Sequence, residues 1–255
     1  MKLDQMKILI TGGASGMGRH FSLSLAQAGA HVAACDLDAE GLSSLADEAA
    51  GLPGAIDTFE GDVANEESVI SFMDAAWDRL GGLNGLINNA GIFRDGLLVK
   101  KDRETGAVRG MSLKHWNQVI GVDLTGPFLC TREFAARIIE NDGGPAVVVN
   151  ISSIARHGNA GQSNYSAAKA GLVADTVTWG KELARYGVRT GAIAPGFVDT
   201  PILQGMRPEV LEKMLKAVPL RRPATPDEIF EGVKFVIECD YFTGGCIDID
   251  GGMRI

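Results

Sequence analysis

Short apolar runs alternate with longer amphipathic stretches along this chain, and that alternation restricts the fold more than any other feature. The runs predict seven strands, at Lys7–Thr11, His31–Asp36, Ile56–Glu60, Leu83–Asn88, Pro145–Ile151, Arg189–Ala194 and Cys246–Ile249. Helical patterns lie between them near residues 17–29, 39–50, 66–80, 113–140, 164–186 and 226–238. The sequence therefore predicts repeated β–α units on one parallel sheet.

Length, charge and cysteine usage narrow the class of protein. The 255 residues contain no Pro/Gly/Ser-rich linker, which predicts a single domain over residues 1–255. A formal net charge of −8 argues against nucleic acid or an anionic membrane surface as a partner. No apolar run approaches the ~20 residues that a membrane-spanning helix needs. The four cysteines and four histidines are scattered, so we expect no metal site, and reduced thiols in the cytoplasm.

A glycine-rich turn separates the first predicted strand from the first predicted helix, with the spacing Gly-x-x-x-Gly-x-Gly. Glycine permits a positive φ and leaves room for a pyrophosphate against bare backbone. The start of the following helix offers N–H groups to phosphates. We therefore expect a dinucleotide here; the alternative is a tight turn without a ligand. The predicted contacts are Gly12, Ser15, Gly16, Met17 and Gly18.

An acidic residue, Asp36, ends the second predicted strand, where it can hydrogen-bond an adenosine ribose. At ~4 Å from a ribose 2′-phosphate, its charge would cost about 4 kcal/mol at an effective dielectric near 20. That corresponds to roughly a thousandfold in affinity. The next residues are Leu37 and Asp38, so no Arg or Lys stands beside it. We predict NAD rather than NADP, with Asp36 and Leu37 at the ribose; the alternative is a surface carboxylate.

Two further predicted strands end in residues that suit a dinucleotide. Asp62 and Val63 follow the third strand, where a carboxylate can accept a hydrogen bond from the adenine amino group. Asn89, Ala90 and Gly91 close the fourth, where small and amide residues let the backbone approach a cofactor. Each set alone is compatible with a turn. Together with the glycines they predict a Rossmann-type doubly wound α/β fold, with about seven parallel strands and helices on both faces.

Tyr165 and Lys169 stand four residues apart near the start of a predicted helix, so their side chains share one helical face. A neighbouring ammonium favours the phenolate and lowers the tyrosine pKa from its ordinary ~10. Such a phenol can take a proton from an alcohol or give one to a carbonyl. Taken alone, the pair is more often part of a solvated helix face.

The glycine turn, the Asn-Asn-Ala-Gly motif, two strand-end serines and the Tyr/Lys pair occur in an order that resembles the short-chain dehydrogenase/reductase family over essentially the whole chain. The resemblance implies that Tyr165 exchanges a proton with the substrate oxygen while a hydride moves between the carbinol carbon and NAD. Lys169 would hold the nicotinamide ribose and, together with the positive nicotinamide ring, lower the Tyr165 pKa. The residue pattern at the end of the fifth strand favours Ser153 as the serine that hydrogen-bonds the substrate oxygen. The length of the connection to Tyr165 favours Ser152 instead.

One position departs from that family's pattern. The family usually carries an Asn in the long helix after the fourth strand, where it supports a water of the proton relay; this chain has Asp123 there. An ionised Asp can accept a hydrogen bond from a water but cannot donate one. Its charge near Tyr165 would raise the pKa of that phenol. We predict that Asp123 fills a fourth catalytic position with altered tuning.

The resemblance also assigns the loop after the sixth strand to the nicotinamide, through Pro195, Gly196, Val198 and Thr200. The partly apolar segment 197–220 is predicted to be a lid over the substrate, or alternatively a helix packed on the core. His157 is equally a substrate contact or a solvated loop residue. Candidate substrate contacts are Phe93, Ser153, His157, Phe197 and Met206.

The resemblance implies an NAD-dependent oxidoreductase, and mostly apolar pocket walls predict a medium-sized secondary alcohol or its ketone as the substrate. One alternative is a reductase of 3-oxoacyl thioesters of acyl carrier protein or CoA, although Asp36 argues against the NADPH that such enzymes usually take. Another is a non-catalytic dinucleotide sensor or scaffold. The resemblance implies a homotetramer assembled through the helices predicted at 113–140 and 164–186. The polar stretch 100–106 is predicted as a solvated loop or hairpin, or else as part of a substrate or subunit rim.

Overall fold

The computed structural model describes residues 1–205 and 208–253, and its centre is a parallel sheet of seven strands. In chain order, the strands of the protein are β1 (Lys7–Thr11), β2 (His31–Asp36), β3 (Ala55–Glu60), β4 (Gly85–Asn88), β5 (Val99–Lys101), β6 (Val108–Gly110), β7 (Ala146–Ile151), β8 (Val188–Pro195) and β9 (Gly245–Ile249). The sheet order is β3-β2-β1-β4-β7-β8-β9. The strand order reverses between β1 and β4, which makes the sheet doubly wound and confirms the predicted fold class.

The helices are α1 (Gly16–Gln27), α2 (Ala39–Glu48), α3 (Glu66–Leu80), α4 (Leu113–Ile120), α5 (Gly126–Glu140), α6 (Ser163–Leu183), α7 (Pro201–Gln204), α8 (Pro208–Leu215) and α9 (Pro226–Glu238). Short 3₁₀ turns lie at Leu3–Gln5, Ile154–His157 and Ala184–Tyr186. The helix predicted at 113–140 is interrupted by a π-helical turn, Gly121–Thr125, between α4 and α5.

Helices cover both faces of the sheet because successive residues of each strand point to opposite sides. Ile8 and Ile10 of β1 pack with Phe21 of α1 and with α9 on one face. Leu9, between them, packs with Phe134 of α5 and with α3 on the other. This is why the central strands read as almost continuous apolar runs.

The polar stretch 100–106 forms the end of β5 and the turn of an antiparallel hairpin, in which β5 pairs with β6 as a separate two-stranded sheet. Both strands of this hairpin are exposed, and they lack the apolar periodicity from which the seven strands of the main sheet were predicted. Within residues 1–205 and 208–253, no helix is long and apolar enough to cross a membrane.

Candidate active site

The glycine turn between β1 and α1 has the conformation that the spacing predicts. Gly12 and Gly16 have φ of +69° and +54°, which favour glycine. A Cβ on Gly18 would overlap the Gly12 carbonyl, whereas the space beside Gly16 is open. Ser15 precedes α1, and its side chain makes no capping hydrogen bond to the helix. The first-turn N–H groups of α1 therefore suit a pyrophosphate, and the turn fits a dinucleotide.

The carboxylate of Asp36 lies against this turn. Its Oδ2 accepts a hydrogen bond from the backbone N–H of Ala14 at 3.0 Å, so the acid at the end of β2 also holds the turn in place. Leu37 beside it is 65% exposed. Asp62 is half-buried and Val63 is buried at the end of β3. All four predicted adenosine-side residues thus lie at the carboxyl ends of neighbouring strands.

Asn89 joins the end of β4 to the glycine turn. Its side-chain amide donates to the carbonyls of Thr11 and Gly12, at 3.0 and 3.1 Å. The N–H groups of Asn89 and Ala90 both donate to the Thr11 hydroxyl. The side chain of this predicted cofactor residue therefore positions the backbone of the turn.

The residues predicted on the nicotinamide side follow the end of β8. Pro195 is the last residue of that strand. Gly196 donates its N–H to the carbonyl of Ile249 at 2.9 Å, and a Cβ there would lie 2.9 Å from a backbone atom of the neighbouring chain segment. Val198 is buried, and Thr200 immediately precedes α7. The loop is thus held close to the end of β9.

Tyr165 and Lys169 lie in the first turns of α6, and both are buried, with 8% and 4% exposure. The Lys169 ammonium lies 5.4 Å from the centroid of the Tyr165 ring. The pair therefore does not belong to a solvated helix face. A buried phenol beside a buried ammonium is an arrangement suited to proton transfer.

The two strand-end serines have different partners. The Ser152 hydroxyl is buried and donates to the backbone carbonyl of Lys169 at 2.9 Å. The Ser153 hydroxyl accepts from the N–H of Ala155 at 3.1 Å, and it lies close enough to the phenol of Tyr165 to lower the pKa of that group. Of the two hydroxyls, Ser153 is the one that acts on the tyrosine.

Asp123 lies in the π-helical turn and is fully buried. Its Oδ1 accepts from the N–H of Ile92 at 2.9 Å, and its Oδ2 lies 3.2 Å from the ammonium of Lys169. That ammonium also donates to the carbonyl of Ile151 at 3.0 Å. A Cβ on Gly91 would lie 2.9 Å from Asp123 Oδ2, so a glycine is needed there. The carboxylate contacts the lysine directly, which the sequence did not predict.

Burial raises the pKa of the Tyr165 phenol, and the Asp123 carboxylate adds to this effect. The Lys169 ammonium and the hydrogen bond from Ser153 act in the opposite direction but do not reverse it. Lys169 thus lowers the Tyr165 pKa as the sequence predicts, but in the chain by itself the net direction is upward, because spacing alone does not include the cost of burial. Burial would lower the pKa of Lys169, but Asp123 and Tyr165 raise it, so the lysine stays charged.

The predicted substrate contacts are only partly brought together. The Phe93 ring lies over Tyr165, with 4.6 Å between the ring centroids. Phe197 packs against a small apolar cluster with Val218. His157 is exposed, and its ring contacts Arg156 at 3.2 Å. Met206 lies outside the described residues.

Asn164 is a residue of the site that the sequence analysis missed. It is fully buried, and its Oδ1 accepts from the N–H of Tyr165 at 2.9 Å. Its amide donates to the carbonyls of Arg94 and His115, at 3.1 and 3.3 Å. The only sequence signal was an amide residue immediately before the tyrosine. No group of three or more His, Cys, Asp or Glu side chains in the described ranges could hold a metal ion.

Comparison with known proteins identifies relatives over the whole length. The family model for short chain dehydrogenases matches residues 6–211. The chain is 39% identical to the 3-oxoacyl-(acyl-carrier-protein) reductase FabG of Thermotoga maritima, covering 100% of both chains. It is 35% identical to the protein of the same name from Aquifex aeolicus, over 99% of each chain. It is 34% identical to the (3R)-3-hydroxyacyl-CoA dehydrogenase of Canis lupus familiaris, over 99% of this chain and 98% of that one.

Proposed function

The chain belongs to the short-chain dehydrogenase family of oxidoreductases, and we propose that it interconverts 3-hydroxyacyl and 3-oxoacyl thioesters with NAD as cofactor. The observation that carries the proposal is the cluster of buried Tyr165 and Lys169 with the half-buried Ser153, in a chain whose full-length relatives are named for such acyl substrates. This favours the acyl-thioester alternative over the simple secondary alcohol that the apolar pocket residues suggested.

Tyr165 is the proposed general acid–base group. In the oxidation, its phenolate takes the proton of the 3-hydroxyl; in the reduction, its phenol returns a proton to the 3-oxo oxygen. Ser153 hydrogen-bonds the same oxygen and orients it. Lys169 stabilises the phenolate through its charge and holds the ribose of the cofactor. When bound, NAD supplies the hydride acceptor at its nicotinamide ring, and NADH the donor.

Asp36 supports NAD as the proposed cofactor. Its carboxylate is held against the glycine turn by the N–H of Ala14, so it cannot easily move away from the ribose position. A 2′-phosphate there would meet an unfavourable charge. The cofactor contacts predicted for the glycine turn and for the ends of β2, β3, β4 and β8 belong to the same proposal.

Three features of the surroundings belong to the same proposal. Segment 197–220 is the proposed lid, and the packing of its Val218 against Ile154, the residue after Ser153, supports a position beside the site. The exposed Trp116 and Phe128 support self-association, which we propose to be a homotetramer. The free thiols of all four cysteines support the cytoplasm as the compartment.

Steady-state kinetics with a small substrate panel test the proposal. We expect kcat/KM for acetoacetyl-CoA with NADH to be about a hundredfold higher than kcat/KM for a simple ketone such as 2-octanone. We also expect kcat/KM for acetoacetyl-CoA to be at least about tenfold higher with NADH than with NADPH. Tyr165→Phe should lower kcat by roughly 10²–10⁴ while NADH still binds, as followed by its fluorescence. Faster turnover of the simple ketone would restore the alcohol dehydrogenase hypothesis, and cofactor binding without any turnover would favour a sensor.

A further inference from the structure

The hairpin at residues 97–111 leaves large apolar side chains in solvent. Among the described residues, β5 and β6 pair only with each other, and every residue from 97 to 110 is exposed. Leu98, Val99 and Val108 are 69%, 61% and 66% exposed. An isolated two-stranded hairpin is marginally stable, and exposed apolar groups gathered on it indicate a binding surface.

Both ends of this hairpin are attached to the catalytic cluster. The buried amide of Asn164, adjacent to Tyr165, donates to the carbonyls of Arg94 before the hairpin and His115 after it. The Phe93 ring lies over the Tyr165 ring. Val99 follows Phe93 by six positions, a reach of at most about 20 Å. The hairpin therefore begins at the edge of the active site and extends outward from it.

The hairpin is cationic in an acidic chain. Four basic and two acidic side chains give it a net charge of +2, against −8 for the whole protein. Asp102 accepts hydrogen bonds from the N–H groups of Glu104 and Thr105, so its carboxylate is directed into the tip of the hairpin itself. Lys100 lies directly opposite Arg109 in the antiparallel register. Directly opposite residues project from the same face, so these two cations are neighbours.

We infer that this face of the hairpin binds the phosphate groups of a CoA thioester whose acyl group reacts at Tyr165. The inference rests on the proposed function. Phosphates of CoA lie at the far end of the pantetheine arm, so residues that recognise them must lie outside the reacting centre. Lys100 and Arg109 supply two adjacent cations for them. Leu98, on the same face of the ribbon, supplies apolar area beside those charges.

The same observations favour CoA over an acyl carrier protein. A specific protein–protein interface buries about 1,000 Å² or more, whereas each strand of this hairpin has three residues. The protein as a whole has a net charge of −8, so its surface outside the hairpin repels an acidic protein. A compact polyanion needs only the local pair of cations.

Titration calorimetry with free CoA tests the binding directly. The Lys100→Ala/Arg109→Ala double variant should bind CoA about tenfold more weakly than the wild type, equivalent to about 1.4 kcal/mol. The matched control is Lys2→Ala/Lys181→Ala, which removes the same charge from two exposed lysines elsewhere and should shift the Kd by less than about twofold. Equal weakening in both double variants, or in neither, would overturn the inference.

Kinetics separate the hairpin from the reaction itself. The ratio of kcat/KM for acetoacetyl-CoA to that for acetoacetyl-N-acetylcysteamine, which lacks the phosphates, should fall about tenfold in the hairpin variant. An unchanged ratio, with both thioesters still reduced, would contradict the hairpin inference alone. If the wild type reduces neither thioester, the proposed function fails and the inference fails with it. If the hairpin variant loses activity only toward acetoacetyl-acyl-carrier-protein and not toward acetoacetyl-CoA, the hairpin binds a protein partner and the choice of CoA is overturned.

Discussion

Asp123 and Lys169 form a buried ion pair next to the phenol that we propose as the acid–base group. The carboxylate is fully buried, and its second oxygen has the lysine ammonium as its only nearby cation in the described structure. Burial raises the pKa of Asp123, and Lys169 opposes that rise. An ionised Asp123 attracts the ammonium and repels the phenolate, so it partly cancels the influence of Lys169 on Tyr165.

Asp123→Asn should therefore shift the pH dependence of oxidation to lower pH. Oxidation needs the Tyr165 phenolate, so kcat/KM rises with pH through the pKa of that phenol. Asp123 raises this pKa, and removing its charge lowers it. The measurement is the pH profile of kcat/KM for a 3-hydroxyacyl-CoA with NAD. Asp95→Asn is the matched control, with a smaller shift in the same direction, because Asp95 raises the pKa less. An unchanged profile for Asp123→Asn would remove Asp123 from the mechanism.

Gly91→Ala should damage the same ion pair without a large loss of stability. The added Cβ would lie 2.9 Å from Asp123 Oδ2 and 3.4 Å from the Lys169 ammonium, so the pair must shift. Misplacement of a catalytic group by about 1 Å can cost ~10²-fold in rate, and we expect a loss of kcat of that order. Gly96→Ala is the control, since no atom lies within 4 Å of its added Cβ. Equal activity of the two variants would contradict this prediction.

The π-helical turn at Gly121–Thr125 determines where Asp123 points. The sequence from 113 to 140 has helical periodicity, but a π turn contains one extra residue and rotates the positions that follow. Gly126 packs against Val63, where a Cβ would lie 3.0 Å from the valine side chain. The close approach of α5 to the end of β3 is a tertiary contact, so helical periodicity alone could not locate this turn.

A capping box at the start of α9 offers a prediction at the level of one element. The Thr225 hydroxyl accepts from the N–H of Glu228, whose carboxylate accepts from the N–H of Thr225 and pairs with Arg222. Thr225→Ala should lower the free energy of unfolding by about 1 kcal/mol, measured by denaturant titration. Thr178→Ala, at an exposed position within α6, should be nearly neutral because alanine is the better helix former. A larger cost at Thr178 would be contrary to this account.

Buried amides and hydroxyls connect separate layers of the molecule. The side-chain amide of Asn88 in β4 donates to Thr131 of α5 and to Asn150 of β7, at 3.0 and 2.8 Å. Asn150 in turn donates to Thr176 of α6 at 2.8 Å. All four are buried. These bonds fix both α5 and α6 relative to the central strands and so fix the position of the helix that carries Tyr165 and Lys169.

Asn150→Ala should destabilise the whole molecule, because it leaves polar partners buried with fewer hydrogen bonds and opens a small cavity. We expect a loss of about 2–3 kcal/mol in the free energy of unfolding, seen in one cooperative denaturation transition. Asn141→Ala is the matched control; it removes an exposed amide that bonds within its own helix and should change stability by less than about 0.5 kcal/mol. Similar losses for both variants would mean that the buried network contributes no more to the free energy of unfolding than an exposed amide does.

The sequence by itself determined the seven strands of the parallel doubly wound sheet and the family. Each of these depends on local information: apolar periodicity along a strand, glycines that a turn requires, and a short ordered set of motifs. The glycine turn, Asp36 and the Tyr165/Lys169 pair were recognisable because their spacing along the chain already places them at strand ends or on one helix face.

Only the tertiary structure decided which serine acts on the phenol, how Asp123 meets Lys169, and the net direction of the Tyr165 pKa. Ser152 and Ser153 are adjacent in sequence, and the carbonyl of Lys169, which belongs to another element, distinguishes them. The role of Asn164 likewise depends on carbonyls far along the chain. Burial and contacts between distant segments control these properties, because desolvation and charge interactions depend on distance in space rather than on separation in sequence.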